Sequence, residues 1–277
     1  MANESLERND EKQTVIAALS ALAGLFLCCI ALNTFVDPDI WHEMALFREA
    51  LALGYLPLAD QFAYTPTVYP SVHHEWGAGA ILYFVSTTGG AAGLLALKYL
   101  LCAGIAIVVV RCARLKGACY AVLCPLMPIG ILLSLIGFST IRAQMFTLLA
   151  LACLLYFLEQ DRRFVGLRAS GCGLQDQMLE PVAWRLKPVW RMRLWIGPWL
   201  AIYVLWVNVH GGFVVGLVVM VLYTAEQGLR KRPVGHLIAT MNAMAALVVV
   251  NPYGWHYYPY IWDALWLDRP LITEWLP

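Results

Sequence analysis

Apolar residues gather in long runs along this chain, separated by short polar clusters. Positions 14–35 form 22 residues without a charge, 118–138 form a second run of 21, and 91–110 a third broken only by Lys98. At about 1.5 Å per residue, a helix of roughly 20 residues reaches across a bilayer core of about 30 Å. Apolar runs at 143–158, 194–209, 211–225 and 237–250 are shorter and become long enough when flanking residues extend the helix. The pattern predicts an all-α, polytopic transmembrane bundle of about seven spans plus external juxtamembrane helices. A further apolar stretch, 76–88, has 13 residues and ends at Gly89-Gly90. That is too short to cross, so it is expected to form an external interfacial or half-inserted helix.

Basic residues set the expected orientation. Of 19 Lys and Arg, 15 fall in the N-terminal tail, at 111–116, at 159–193 and at 230–232. With seven crossings all of these lie on one side, and Arg48, Arg142 and Arg269 lie on the other. The excess of positive charge in cytoplasmic loops places the N-terminus in the cytoplasm. The expected organisation is a cytoplasmic tail at 1–13 and one transmembrane module at 14–277. That module has a first external loop with interfacial helices at 36–90 and a basic cytoplasmic loop at 159–193. The leader carries Glu4, Glu7, Asp10 and Glu11, and the run after it is too long for a cleaved signal, so 14–35 reads as an uncleaved anchor in the inner membrane.

Composition agrees. Hydrophobic residues make up 61% and charged residues 13%, against about 25% charged in soluble domains. A formal charge of +1 offers no polycation for nucleic acid, whose binding needs many phosphate contacts. None of the eight cysteines falls in an expected external loop, so no disulfide framework is predicted.

The chemistry-bearing residues fall on the expected external face. Asp37-Pro38-Asp39-Ile40-Trp41-His42-Glu43 holds four ionisable groups in seven residues. A carboxylate there could serve as a general base or bind a metal. The plainer reading is a helix start, with Asp37 capping and Pro38 following, and Ile40, Met44, Phe47 and Leu51 forming one apolar stripe. His73-His74-Glu75-Trp76 could ligate a metal or orient a substrate, or simply open the interfacial helix with a Trp anchor. Lys98 lies about 10 Å inside its span, suited to a lipid phosphate or to snorkelling. Arg142 is alone in the 139–144 turn and matches phosphate by its fork, or pairs with the acidic first loop. Asn208-Val209-His210-Gly211-Gly212 joins two spans without a loop, and Asn251-Pro252-Tyr253-Gly254 leads into interfacial aromatics.

These residues, in this order, resemble a known family. Asp37-Pro38-Asp39-Ile40-Trp41-His42, then Gln61-Phe62-Ala63-Tyr64-Thr65, His74-Glu75-Trp76, Arg142-Ala143-Gln144, Asn208-Val209-His210-Gly211-Gly212, Asn251-Pro252-Tyr253-Gly254 and Thr273-Glu274-Trp275 are similar to a bacterial group of the GT-C glycosyltransferase superfamily. The resemblance implies a seven-span module with a catalytic Asp on the first external loop and a polyprenyl-phosphate or polyprenyl-pyrophosphate sugar as donor. Asp37 would be the base and Asp39 its competitor. His42, His74, Glu75, Lys98, Arg142, Asn208 and His210 would bind substrate. The expected activity is hexosyl or pentosyl transfer at the external face, with no cofactor assigned and a divalent metal left open. The 139–144 turn has no carboxylate, which departs from the two-carboxylate metal site of oligosaccharyltransferases. The group continues beyond Thr-Glu-Trp with further spans, so a fragment or a minimal form is expected. The alternative is a non-enzymatic membrane protein, a transporter or an envelope-assembly partner.

Overall fold

The structure is a computed structural model that describes residues 12–21, 24, 37–63, 67, 69–133, 140–169 and 193–266. Most of the expected anchor at 14–35 lies outside the described residues. So do Tyr64, Thr65, Ser139, positions 170–192 of the basic loop, and Thr273-Glu274-Trp275.

Every regular element among the described residues is a helix. After a helical stretch at 12–21 come α1 (Asp39–Leu53), α2 (Trp76–Leu115), α3 (Tyr120–Leu133), α4 (Gln144–Ala169), α5 (Ile196–Val209), α6 (Phe213–Leu229), α7 (Gly235–Leu247) and α8 (Tyr257–Trp266). Among them α2 is long and apolar enough to cross a membrane. α5 and α6 are apolar but have 14 and 17 residues, short of the roughly 20 a crossing needs. α4 runs 11 residues past the apolar run at 143–158, into the segment expected to be loop, because 159–169 keeps helix-compatible residues without Pro or an early Gly.

α2 is two helices. Gly90 has φ 56° and ψ −149°, a conformation that a side chain would strain. A Cβ on Gly93 would lie 2.9 Å from the Val85 carbonyl oxygen. Residues eight apart on a straight helix are separated by about 12 Å. The chain therefore folds back at Gly90, and the 76–89 half is not an extension of the 91–115 half.

The 76–89 half is held by two backbone approaches. A Cβ on Gly77 would overlap the Asn208 carbonyl of α5, and one on Gly79 would overlap the Glu43 carbonyl of α1. Backbone cannot swing aside as a long side chain can. Gly77→Ala and Gly79→Ala should each lower stability by about 1–3 kcal/mol, the usual range for overpacking, in thermal unfolding of the detergent-solubilised protein. An unchanged melting temperature for both would contradict the close approach.

The core is aromatic. Trp199, Tyr203 and Trp206 of α5, Phe213 of α6 and Tyr257 of α8 are almost fully buried. Phe213 stacks on Tyr257 at 5.7 Å between centroids, and the Trp206 indole donates to Thr147 Oγ1 of α4 at 2.8 Å. A second cluster joins Ile40 and Met44 of α1, Leu82, Leu94 and Leu101 of α2, and Ile141 and Met145 at the start of α4. The stripe on α1 differs from expectation. Ile40, Met44, Leu46 and Ala50 are buried, while Leu51 is exposed. Outward faces of the apolar helices stay apolar: Leu100 and Ile107 on α2, Leu205 on α5, and Val215, Val218 and Leu222 on α6 are exposed.

Pair contacts give the bundle two ends. α4 begins beside α1, and its far part meets the C-terminal part of α6 through Arg162–Glu226 at 2.7 Å. The start of α7 joins the same end, with His236 Nε2 2.8 Å from Asp161 Oδ1 and the Tyr223 hydroxyl donating to Asp161 at 3.1 Å. Arg230 and Arg232 lie there too, pairing with Glu226 at 3.0 Å and with Gln227 at 3.0 Å. The opposite end gathers the starts of α1, α2 and α4 and the α5–α6 turn.

Candidate functional site

A cavity of ≈ 260 Å³ opens at that second end. Asp37, Asp39, His42 and Glu43 line it from α1 and the residues before it, His74 and Glu75 from the entry to α2, and Arg142 and Gln144 from the entry to α4. Ile40, Ala78, Leu82 and Ala143 supply apolar wall. Each polar contributor sits at or near a helix entry, where the chain leaves irregular backbone with side chains free to converge.

Asp37 is buried, with 6% of its surface exposed, and both carboxylate oxygens are engaged. Oδ1 accepts the Asp39 backbone N–H at 3.0 Å, which is the bond a helix cap makes. Oδ2 is ion-paired to Arg142 Nε. The same guanidinium reaches Asp39 Oδ2 at 3.5 Å, and the Asp39 side chain is 76% exposed. Cap and ion pair are therefore both realised at Asp37, one on each oxygen.

Glu75 anchors a second group. Its Oε1 lies 3.2 Å from His210 Nε2 and 3.5 Å from His74 Nε2. On the other side of the His210 ring, Nδ1 accepts the Gly212 backbone N–H at 2.9 Å and lies 2.8 Å from Thr147 Oγ1. A backbone N–H can only donate, so Nδ1 is the acceptor and Nε2 carries the hydrogen toward Glu75. His74 Nδ1 meets the Tyr260 hydroxyl at 2.7 Å, and the two rings stack. Burial opposes ionisation of Glu75, but the hydrogen bonds from His210 and His74 outweigh it and hold the carboxyl at about 2.

Glu43 is the opposite case. Burial, reinforced by the negative charges of Glu75 and Asp39 and opposed by His74, pushes its carboxyl up to about 7. Its Oε2 is buried without a hydrogen-bond partner among the described residues. Two carboxyls in one cluster are thus driven apart, one a fixed anion and the other titrating near neutrality. Nearby His73 is lowered, chiefly by burial, and its Nε2 is also buried without a partner among the described residues.

Glu43 has a sign that can be checked. Between the ordinary carboxylate range and about 7, the folded chain keeps a proton that the unfolded chain has released, so stability falls as pH rises through that window and levels above it. Glu43→Gln should flatten the dependence between about pH 5 and 8 and raise the melting temperature at the upper end. An identical pH dependence in both proteins would contradict the burial of an ionisable Glu43.

The other sequence candidates are distributed as follows. His42 is exposed and sits edge-on to Phe62 at 5.5 Å. Asn208 does not line the cavity. Its amide donates to the Val204 and Val250 carbonyls, each at 2.8 Å, tying α5 to the turn after α7. Lys98 is buried, with 5% exposed, so it does not snorkel to the surface. Lys98 is not among the residues that line the cavity. Thr147 and Tyr260 have no part in the motifs, and Glu43 enters the sequence analysis only as one of the four ionisable groups at 37–43, without a substrate or catalytic role. Among the described residues no group of three or more His, Cys, Asp or Glu is arranged to hold a metal ion.

No protein-family model matches the chain, and no curated protein or solved structure matches it.

Proposed function

We propose that this chain is a polytopic membrane protein that transfers a sugar from a polyprenyl-phosphate-linked donor to an acceptor at the external face of the inner membrane. The observation that carries this reading is the convergence of Asp37, Asp39, His42, Glu43, His74, Glu75 and Arg142 around one cavity. That cavity lies at the end of the bundle away from Arg162, Arg230 and Arg232. The positive-inside rule puts those basic residues in the cytoplasm and the cavity outside. Helices that are apolar on exposed as well as buried faces fit surrounding lipid better than water.

Sugar transfer needs a cation for the lipid phosphate and a carboxylate for the acceptor's proton. Arg142 lines the cavity and supplies a planar fork that matches phosphate oxygens. Arg142 is held by Asp37 and Asp39 before any donor arrives, so the phosphate must take over part of that pairing. Charge growing on the leaving phosphate is then met by a guanidinium already in place, which is where such groups contribute most. Thr147 holds His210, His210 holds Glu75, and Glu75 with Tyr260 fixes His74 at the wall, shaping the acceptor side.

The test is release of polyprenyl phosphate from a lipid-linked sugar by the purified full chain. Release that depends on Arg142 supports the reading. No release with any sugar donor tried, from protein that is folded in detergent or liposomes, favours the non-enzymatic alternative, for which the Asp37–Arg142 pair is a structural lock.

A further inference from the structure

Resting on the sugar-transfer reading of this cavity, we infer that Glu43 is the group that takes the acceptor's proton, and that Asp37 is a positioning residue that holds Arg142 for the donor phosphate. The resemblance in the sequence assigns the base to Asp37, and the geometry moves it.

The four carboxylates of the cavity differ in what they are free to do. Asp37 has one oxygen on a backbone N–H and the other on a guanidinium, and it is buried. Removing Arg142 from it would expose an unpaired buried charge at the moment the site is needed. Asp39 is largely in water and bound loosely to the same guanidinium. Glu75 holds His210 and His74 on one oxygen, and those bonds favour its ionised form so strongly that it is a poor proton acceptor. Glu43 alone among them lines the cavity with a buried oxygen that meets no donor among the described residues.

The groups facing Glu43 set its task. Glu75 and His74 approach from the entry to α2, Asp39 from one turn earlier on α1, and Tyr253 from the turn after α7. Arg142 also lines the cavity and is paired with Asp37. Burial first, and the neighbouring anions after it, resist a charge on Glu43, so it exchanges its proton near neutral pH, where a general base works best.

The step balances as follows. The acceptor's O–H bond breaks and its proton goes to a Glu43 carboxylate oxygen. The acceptor oxygen forms a bond to the anomeric carbon of the sugar. The bond from that carbon to the phosphate oxygen breaks, and its electron pair stays on the lipid phosphate, facing Arg142.

Two measurements on the full chain test this. Infrared pH titration of the protein without substrate should show a protonated carboxyl band that disappears near pH 7, is missing in Glu43→Gln, and persists in Glu43→Asp and in Asp37→Asn. Transfer from a polyprenyl-phosphate sugar should rise with pH through the same region. Glu43→Gln should lower kcat by about 100- to 10,000-fold, the range for general-base removal, and lose that rising limb. Glu43→Asp keeps a carboxyl and should recover part of the rate together with a pH limb. A Glu43→Gln protein that keeps the rate and the pH limb of the unsubstituted chain would overturn the assignment while leaving sugar transfer intact. A titrating band that survives Glu43→Gln would also overturn it. A band that is lost in Glu43→Gln, in a protein that transfers no sugar, would leave Glu43 as the titrating group and remove the sugar-transfer reading instead.

Discussion

Arg142→Gln should lower stability by about 2–4 kcal/mol and abolish sugar transfer. Asp37 is buried, and taking away its guanidinium leaves a carboxylate with a single backbone donor. Breaking a buried pair from one side costs about 3–5 kcal/mol. The figure is reduced here because the Arg142 side chain keeps 30% exposure and water can enter. The double variant Arg142→Gln with Asp37→Asn should recover most of the stability. Asn removes the stranded charge and still accepts the Asp39 N–H as a cap. It should recover no activity, because the cation for the phosphate is gone. Thermal unfolding and transfer assays on the same preparations separate the two roles. Equal stability in Arg142→Gln and the unsubstituted chain would contradict the ion pair, and activity restored by the double variant would remove Arg142 from phosphate binding.

Sidedness gives an effect close to all-or-none. A cysteine placed at Ser71 or Thr140, near the cavity end, should react with an impermeant thiol reagent applied to intact cells. One placed at Arg163 or Lys231, at the opposite end, should react only after permeabilisation. The expectation follows from the Lys and Arg distribution and from the contacts that separate the two ends. Protection of Ser71 and Thr140 in intact cells would invert the arrangement and take the cavity away from an external lipid-linked donor.

Much of this site is legible in the sequence because its residues sit at helix entries. Asp37, His74-Glu75 and Arg142 each precede an apolar run, and charge bias alone puts those entries at one end. The Gly89-Gly90 break is equally readable, since two glycines between apolar stretches mark a reversal. Glu43 is harder. It lies between Ile40 and Met44, and a helix reading treats that interval as part of an apolar stripe. The signal was present all the same: positions 40, 43, 44 and 47 share one face, so a carboxylate at 43 must go inside. Asn208 reads as a site residue only until the α7 turn is placed, because its partners are backbone carbonyls 4 and 42 residues away. Thr147 and Tyr260 carry no local signal, since hydroxyls on helices are common and only packing brings these two to His210 and His74. Gly77 and Gly79 could have been noticed as paired small residues on a short helix that must lie flat against its neighbours.

The central claim is that the acid-rich cavity transfers a sugar from a lipid phosphate, with Arg142 on the phosphate and a carboxyl on the acceptor. The most direct measurement is single-turnover transfer by the full chain in liposomes, from a polyprenyl-phosphate sugar supplied on the cavity side, followed for Arg142→Gln, Glu43→Gln and the unsubstituted protein. The account predicts stoichiometric release of polyprenyl phosphate by the unsubstituted protein and loss of release in both variants, each still folded. Release that proceeds equally in all three would contradict it.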